Sequence, residues 1–285
     1  MTTQLCDYRL EIDAKKFTSE CYFPGVTFDD FDRAGNVSPW KVCRLFEAGR
    51  AVPIRHGNYL DLTDLVKSGD STYFVLGGNY YFEPCLWKID HPFQYFPYKI
   101  KAELVAIGQT SFTIREILIN LIDNKELASF ICKLVYIDRK TRRPQSFPYQ
   151  QLLKYQGIKS NDVKIDVPKS SAPDTAYTRQ FIVTASDTDG NGHTNHAAYI
   201  RYCLDIAEQA RRENRLRHFH SDICLYPITK MSTFYKGETL SGDTLRGSVW
   251  ESDLDPSKLD FVISRGNDIA FAARIDFRDR PSSKL

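Results

Sequence analysis

The chain has almost no net charge, no long apolar run and no paired cysteines. Its 285 residues carry 38 basic and 36 acidic side chains, a formal charge of +2. Charge therefore implies no polyanion partner, and no nucleic acid is expected. No apolar run is long enough to cross a bilayer, and no charged-then-apolar segment opens the chain. A soluble, intracellular protein with no membrane span is expected. The seven cysteines are scattered, odd in number, and contain no Cys-x-x-Cys pair. That pattern argues against a disulfide framework or a zinc cluster and for a reducing compartment. The length allows one large domain or two small ones, each with a core of useful size.

The informative segment is Asp187-Thr188-Asp189-Gly190-Asn191-Gly192-His193-Thr194-Asn195-His196-Ala197-Ala198-Tyr199. It crowds acids, amides and histidines into one short loop ahead of a helix-like run, Ala197 to Arg212. Asn195 reads as the N-cap, but capping needs only one of these residues. Acids and amides beside a histidine can orient a water and accept its proton. The free N–H groups of a helix start can face a developing oxyanion.

The loop resembles the Asp-x-Asp-x-x-Gly-His-x-Asn-x-x-x-Tyr signature of the hot-dog-fold thioesterases, the 4-hydroxybenzoyl-CoA thioesterase and acyl-ACP thioesterase superfamily. Asp187, Asp189, Gly192, His193, Asn195 and Tyr199 carry the match. Asp189, Asn191 and His193 also reproduce the Asp-x-Asn-x-His spacing of the plant acyl-ACP enzymes. His196 departs from the pattern, standing where the family usually has a second Asn.

A second copy exists. Asp30-Phe31-Asp32-Arg33-Ala34-Gly35-Asn36-Val37-Ser38 aligns without gaps on Asp187 to Asn195 and again precedes a helix-like segment, Pro39 to Ala51. That segment ends Phe46-Glu47-Ala48-Gly49-Arg50, which resembles a helix ending common in the superfamily. Both halves close on similar tails, Val135 to Pro144 and Ile275 to Pro281. The expectation is an α+β fold of two fused hot-dog units, each a long helix wrapped by a curved antiparallel sheet. Residues 1–145 form the first unit, 146–176 a linker, 177–281 the second unit, and 282–285 a tail. The first loop has Asn36 for His193 and Ala34 for Asn191, so one working site is expected, on the second loop. Glu47 of the first unit is a candidate contributor, weighed evenly against an ordinary ion-paired helix residue.

Hydrophobic periodicity places strands at Thr18–Phe28, Lys99–Ile107, Ser111–Leu121 and Leu127–Ile137, with a hairpin turn at Asp123-Asn124-Lys125. Arg55 to Gly78 reads as an irregular connection broken by Gly57, Gly69, Gly77 and Gly78. The second half gives strands at Thr178–Ala185, Thr229–Tyr235, Thr244–Glu251, Leu259–Ser264 and Ile269–Phe277.

What the resemblance implies is hydrolysis of fatty acyl-CoA thioesters to free acid and CoA, with no cofactor or metal. Asp189 is the expected base or nucleophile, both remaining open. His193 would polarise the carbonyl or exchange protons, and Asn191 and Asn195 would hold substrate or water. Glu238 resembles a catalytic Glu of the acyl-ACP enzymes, where a Cys follows; here Thr239 follows, so no cysteine nucleophile is expected. Arg139, Lys140, Arg142 and Arg143 are candidates for CoA phosphates, with Arg211, Arg212 and Arg215 a second cluster. Tyr80, Tyr81, Phe82, Phe93, Tyr95 and Phe96 are candidates for the acyl wall, against the simpler reading of core packing. Ser283-Lys284-Leu285 matches the peroxisomal import signal, so an import receptor is an expected partner and the peroxisome the expected location. A homo-oligomer stays open. The rival readings are a hot-dog enoyl-CoA hydratase, whose Asp-x-Asn-Pro-x-His spacing this loop lacks, and a non-catalytic acyl-CoA binding protein.

Overall fold

A computed structural model describes residues 9–89, 96–155, 158 and 164–278. The first half runs β1 (Arg9–Asp13), β2 (Thr18–Phe23), α1 (Pro39–His56), α2 (Leu62–Lys67), β3 (Ser71–Phe82), β4 (Tyr98–Ile107), β5 (Ser111–Asn120), β6 (Glu126–Asp138) and β7 (Arg143–Pro144). A short α3 (Tyr149–Lys154) follows. The second half runs β8 (Tyr177–Ile182), α4 (His196–Arg212), β9 (Ile228–Tyr235), β10 (Thr244–Glu251), β11 (Lys258–Arg265) and β12 (Asp268–Phe277).

The strands form one antiparallel sheet in the order β1-β2-β4-β5-β6-β3-β9-β12-β11-β10-β8, with β7 paired to β6. Leaving out β1 and β7, each half has five strands in the same internal order, first-third-fourth-fifth-second. The halves join second strand to second strand, from Gly77↔Phe234 to Tyr81↔Lys230. Two hot-dog units therefore share a single sheet related by a pseudo-twofold. The long helices α1 and α4 lie on its inner face and touch each other.

The helices form where capping and apolar spacing agree. Asn195 Oδ1 accepts the Ala197 N–H at 2.9 Å and starts α4, while Pro39 sits in the first turn of α1. α1 buries Val42, Cys43, Phe46 and Ile54; α4 buries Tyr199, Ile200, Cys203 and Ile206. Phe46 is fully buried against Tyr80 and Phe130, contributing about 2–3 kcal/mol by area. The alternation in β4, β5 and β6 supplies the matching apolar face, and Asn124 adopts positive φ in the β5–β6 turn.

Two readings are corrected. Arg55 to Gly78 is not an irregular connection: α1 continues to His56, α2 follows, and β3 continues through Gly77 and Gly78 with a bulge at Leu76 against β6. These glycines mark a close approach. A Cβ at Gly77 would lie 2.4 Å from the Thr233 carbonyl oxygen on β9, and one at Gly78 2.2 Å from that of Ile131 on β6. They let β3 bond both neighbours where the halves meet. The strand expected over Thr18–Phe28 is shorter, since β2 ends at Phe23 and a 3-10 turn begins at Phe28; β1, ahead of it, is an edge strand that periodicity did not reveal. In the stretch between the halves, α3 packs on the first half through Gln151 Nε2, which donates to the Leu60 carbonyl at 2.9 Å. No helix among the described residues is long and apolar enough to cross a membrane.

Candidate active site

The two loops are built by the same backbone bonds, 157 residues apart. Each begins with a 3-10 turn closed by a Thr–Asp capping box, Thr27 with Asp30 and Thr184 with Asp187. Each forms one isolated antiparallel bridge, Phe31↔Val37 and Thr188↔Thr194. The Asp32 N–H donates to the Asn36 carbonyl at 2.8 Å, and the Asp189 N–H to that of His193 at 3.0 Å. Gly35 and Gly192 take φ of 77° and 78°, the left-handed turn that glycine tolerates. The repeat seen in the sequence is thus a repeat of geometry.

The second loop opens on a cavity of about 490 Å³, within the range of ligand pockets. Asp189, Asn191, His193 and Glu238 all line it, so the four candidate chemistry residues meet at one place. Asp189 Oδ1 accepts the Asn191 N–H at 2.8 Å. His193 Nε2 is 3.8 Å from Asp189 Oδ1, beyond a direct hydrogen bond. That nitrogen is buried and has no partner among the described residues. The ring is held edge-on to Phe74 of β3, centroids 4.7 Å apart.

Much of the opposite wall comes from the first half. Glu47, Arg50, Ala51 and Arg55 of α1 face the cavity, with Val66, Thr72, Tyr73, Phe74, Val75, Leu76, Val135 and Ile137. Asn195 is clasped across the halves: its Nδ2 donates to Glu47 Oε1 at 3.0 Å and Oε2 at 3.1 Å. Burial pushes the Glu47 carboxyl up, but the His196 ring, Arg44, the Asn195 amide and Arg50 together outweigh it and hold the group below its usual range. Arg50 is itself buried and paired with Glu116 of β5, whose acidity burial weakens. His196, at the first position of α4, also lines the cavity. Burial pushes its pKa down to about 4, so the ring is neutral near pH 7.

Glu238 pairs with Arg142, and the Arg142 guanidinium lies over the Phe74 ring at 5.0 Å. The neighbouring Thr239 is fully buried. Its carbonyl accepts the Thr194 N–H at 2.8 Å, and its hydroxyl bonds Thr194 and Tyr199 at 2.6 and 2.8 Å. A hydroxyl network thus surrounds Thr239, the residue that follows Glu238.

Of the basic residues named from sequence, Arg142 lines the cavity; Arg139 and Arg143 do not. Arg139 donates to the Ser71 carbonyl at 3.1 Å, and Arg143 is an exposed residue of β7 paired in register with Asp138. Arg211 and Arg212 are spent on Glu208. Sequence reasoning missed Arg55, Lys236 and Arg265, which join Arg142 on the cavity wall. They come from α1, β11 and the end of β9, so no local cluster announced them. Tyr80, Phe82 and Phe96 are core residues, not lining, while Phe93 and Tyr95 lie outside the described residues.

The first loop opens on a counterpart cavity of about 340 Å³, lined by Asp32, Trp40, Trp87, Arg201, Leu204 and Cys224 among others. Its chemistry is tied off. Asn36 Nδ2 donates to the Cys224 carbonyl at 3.1 Å, Arg33 is paired with Asp222, and Leu204 stands at the position equivalent to Glu47. Burial raises the Asp32 carboxyl against the pull of two backbone N–H groups. Among the described residues, no group of three or more His, Cys, Asp or Glu side chains could hold a metal ion.

No protein-family model matches the chain, and no curated protein matches it. Solved structures do. The acyl-ACP thioesterase of Bacteroides thetaiotaomicron is similar with a TM-score of 0.69 at 14% identity, covering 94% of this chain and 100% of its own. A structure described as an oleoyl thioesterase of Lactobacillus plantarum gives 0.73 at 17% identity, covering 98% and 99%. The 12:0-ACP thioesterase of Umbellularia californica gives 0.69 at 15% identity, covering 92% and 97%. At these identities the likeness is one of fold, and it spans nearly the whole chain: this protein is a tandem hot-dog, two units fused through one sheet.

Proposed function

We propose that the chain hydrolyses acyl thioesters, with fatty acyl-CoA as the substrate and Asp189 as the general base. One observation carries this reading: Asp189, Asn191, His193 and Glu238 share a cavity whose far wall is largely aliphatic and aromatic. The Asp189 carboxylate takes a proton from water as the water oxygen attacks the thioester carbon. Asn191 and the Asp189 backbone turn hold that water. The tetrahedral oxyanion meets the unpartnered His193 Nε2, protonated in that tautomer, and the N-terminal turn of α4. The carbon–sulfur bond then breaks, and the thiolate recovers the proton from Asp189. The acyl chain lies along Val75, Leu76, Val135 and Ile137. The phosphates of the pantetheine carrier meet Arg55, Arg142 and Lys236, with Glu238 orienting Arg142.

Acyl-ACP is the second reading, favoured because two of the similar structures are described as ACP thioesterases. Import into peroxisomes through Ser283-Lys284-Leu285, a segment outside the described residues, belongs to the acyl-CoA proposal. The test is thiol release from matched acyl-CoA and acyl-ACP panels of varied chain length. Faster release from acyl-ACP replaces the carrier. Hydration of trans-enoyl-CoA, or binding with no release, replaces the reaction.

A further inference from the structure

We infer that Glu47, from the half with the degenerate loop, is a positioning residue for the site in the other half, acting through Asn195. This rests on the hydrolytic reading above. Asn195 is a junction. Its N–H donates to the Asp187 carbonyl at 2.8 Å, its Oδ1 caps the Ala197 N–H at 2.9 Å, and its Nδ2 spends itself on both Glu47 oxygens. The loop bearing Asp189 and His193 is thereby pinned at its C-terminal end to α1 of the first half.

The alternative, that Glu47 is itself the base, is weaker on the same geometry. Both of its oxygens already accept hydrogen bonds from Asn195, and Arg44 Nη1 sits 3.1 Å from Oε2. A carboxylate so engaged is a poor proton acceptor, because each donor favours the charged form. Asp189, by contrast, has one oxygen on the Asn191 N–H and, among the described residues, no side-chain or backbone donor on Oδ2.

The pseudo-twofold supplies an internal control. The residues equivalent to Glu47 and Asn195 are Leu204 and Ser38, which cannot form this clasp. It is present only at the loop that keeps the histidine. The first half thus contributes more than a wall: it fixes the catalytic loop's register against the cavity.

The experiment compares Glu47→Ala, Glu47→Gln, Asn195→Ala, the Glu47→Ala/Asn195→Ala pair and Asp189→Asn in the full chain. Thiol release and amide hydrogen exchange are followed over residues 186–199. Glu47→Ala should lower kcat roughly ten- to a hundredfold with little change in KM and speed exchange in that loop. The pair should be no worse than either single change. Glu47→Gln keeps an oxygen that accepts from Asn195 and should restore most of the rate. If Glu47→Gln is as slow as Glu47→Ala, the carboxylate does the chemistry and the inference is overturned. Wild-type rate and exchange in Glu47→Ala overturn it as well. Full activity in Asp189→Asn strikes the hydrolytic reading instead, and the exchange measurement still decides whether the clasp holds the loop.

Discussion

His193 Nε2 and Asp189 Oδ1 face one another across 3.8 Å at the cavity wall, too far for a direct hydrogen bond. The separation leaves the carboxylate free to act as a base and the imidazole free to act as a donor. A direct ion pair would tie up both groups.

Asp189→Asn keeps the size of the side chain and removes its basicity. Turnover should fall by roughly a hundred- to ten-thousandfold, the range of positioned acid–base groups. His193→Ala should also slow turnover severely. Asp32→Asn should cost far less, because its loop carries Asn36 and Ala34 and its cavity is tied off. Steady-state kinetics on variants with wild-type unfolding curves check this. Equal losses from Asp32→Asn and Asp189→Asn would overturn the one-site reading.

Arg142→Ala should raise KM for acyl-CoA by roughly ten- to a hundredfold, the value of a charged hydrogen bond, with a smaller effect on an acyl-pantetheine lacking the phosphates. Parallel titrations with the two substrates measure the difference. Equal sensitivity in both would remove Arg142 from phosphate recognition.

His196 should make the fold labile to acid. Its folded pKa is depressed to about 4 from an ordinary 6.5. The unfolded chain therefore takes up the proton first as pH falls. Stability is full above about pH 6.5 and declines between about 6.5 and 4, by on the order of 3 kcal/mol in the limit. Glu47, Arg44, Arg50 and Asp189 are the charges around the ring, and burial dominates them. Urea unfolding at pH 7 and pH 5 should show a smaller loss for His196→Asn than for the wild type. An identical loss in both proteins would exclude this origin.

Gly78→Ala should destabilise the join between the halves. The added Cβ meets the Ile131 carbonyl on β6, a backbone atom that cannot swing aside. A cost at or above the usual 1–3 kcal/mol of overpacking is expected, seen as a Tm lowered by several degrees. Thermal unfolding followed by circular dichroism checks it, and an unchanged Tm would refute the close approach.

Removing Leu285, or masking the terminus with a tag, should leave a fluorescently tracked protein in the cytosol, since the import receptor reads the free terminal tripeptide. Peroxisomal signal that survives the truncation would end the targeting proposal.

Much of this molecule was legible in one dimension because its information is local. Within the loop from Asp187 to Asn195 the turns themselves are closed by bonds spanning no more than eight residues, and the copy at Asp30 to Ser38 repeats them. Strands β4, β5 and β6 declare themselves by alternation, and α4 by Asn195 and its apolar spacing. Local periodicity failed at β3. Gly77 and Gly78 break a strand when read alone, yet here they serve two neighbours at once, and one of them, β9, comes from the other half.

The sequence by itself determined that there are two copies, that one retains the histidine and amide, and that the other does not. Only the tertiary structure decided what completes the retained loop. Glu47, Phe74, Arg55 and Arg142 reach it from α1, β3 and the β6–β7 turn, and Lys236 from the end of β9. They are brought in by a sheet that pairs β3 with β9 across about 155 residues of chain, as in Gly78↔Thr233. Hydrogen bonding between distant strands leaves no period and no spacing in a linear sequence. Glu47 and Arg142 were already candidates in the sequence; Phe74, Arg55 and Lys236 become visible only once the two halves are paired.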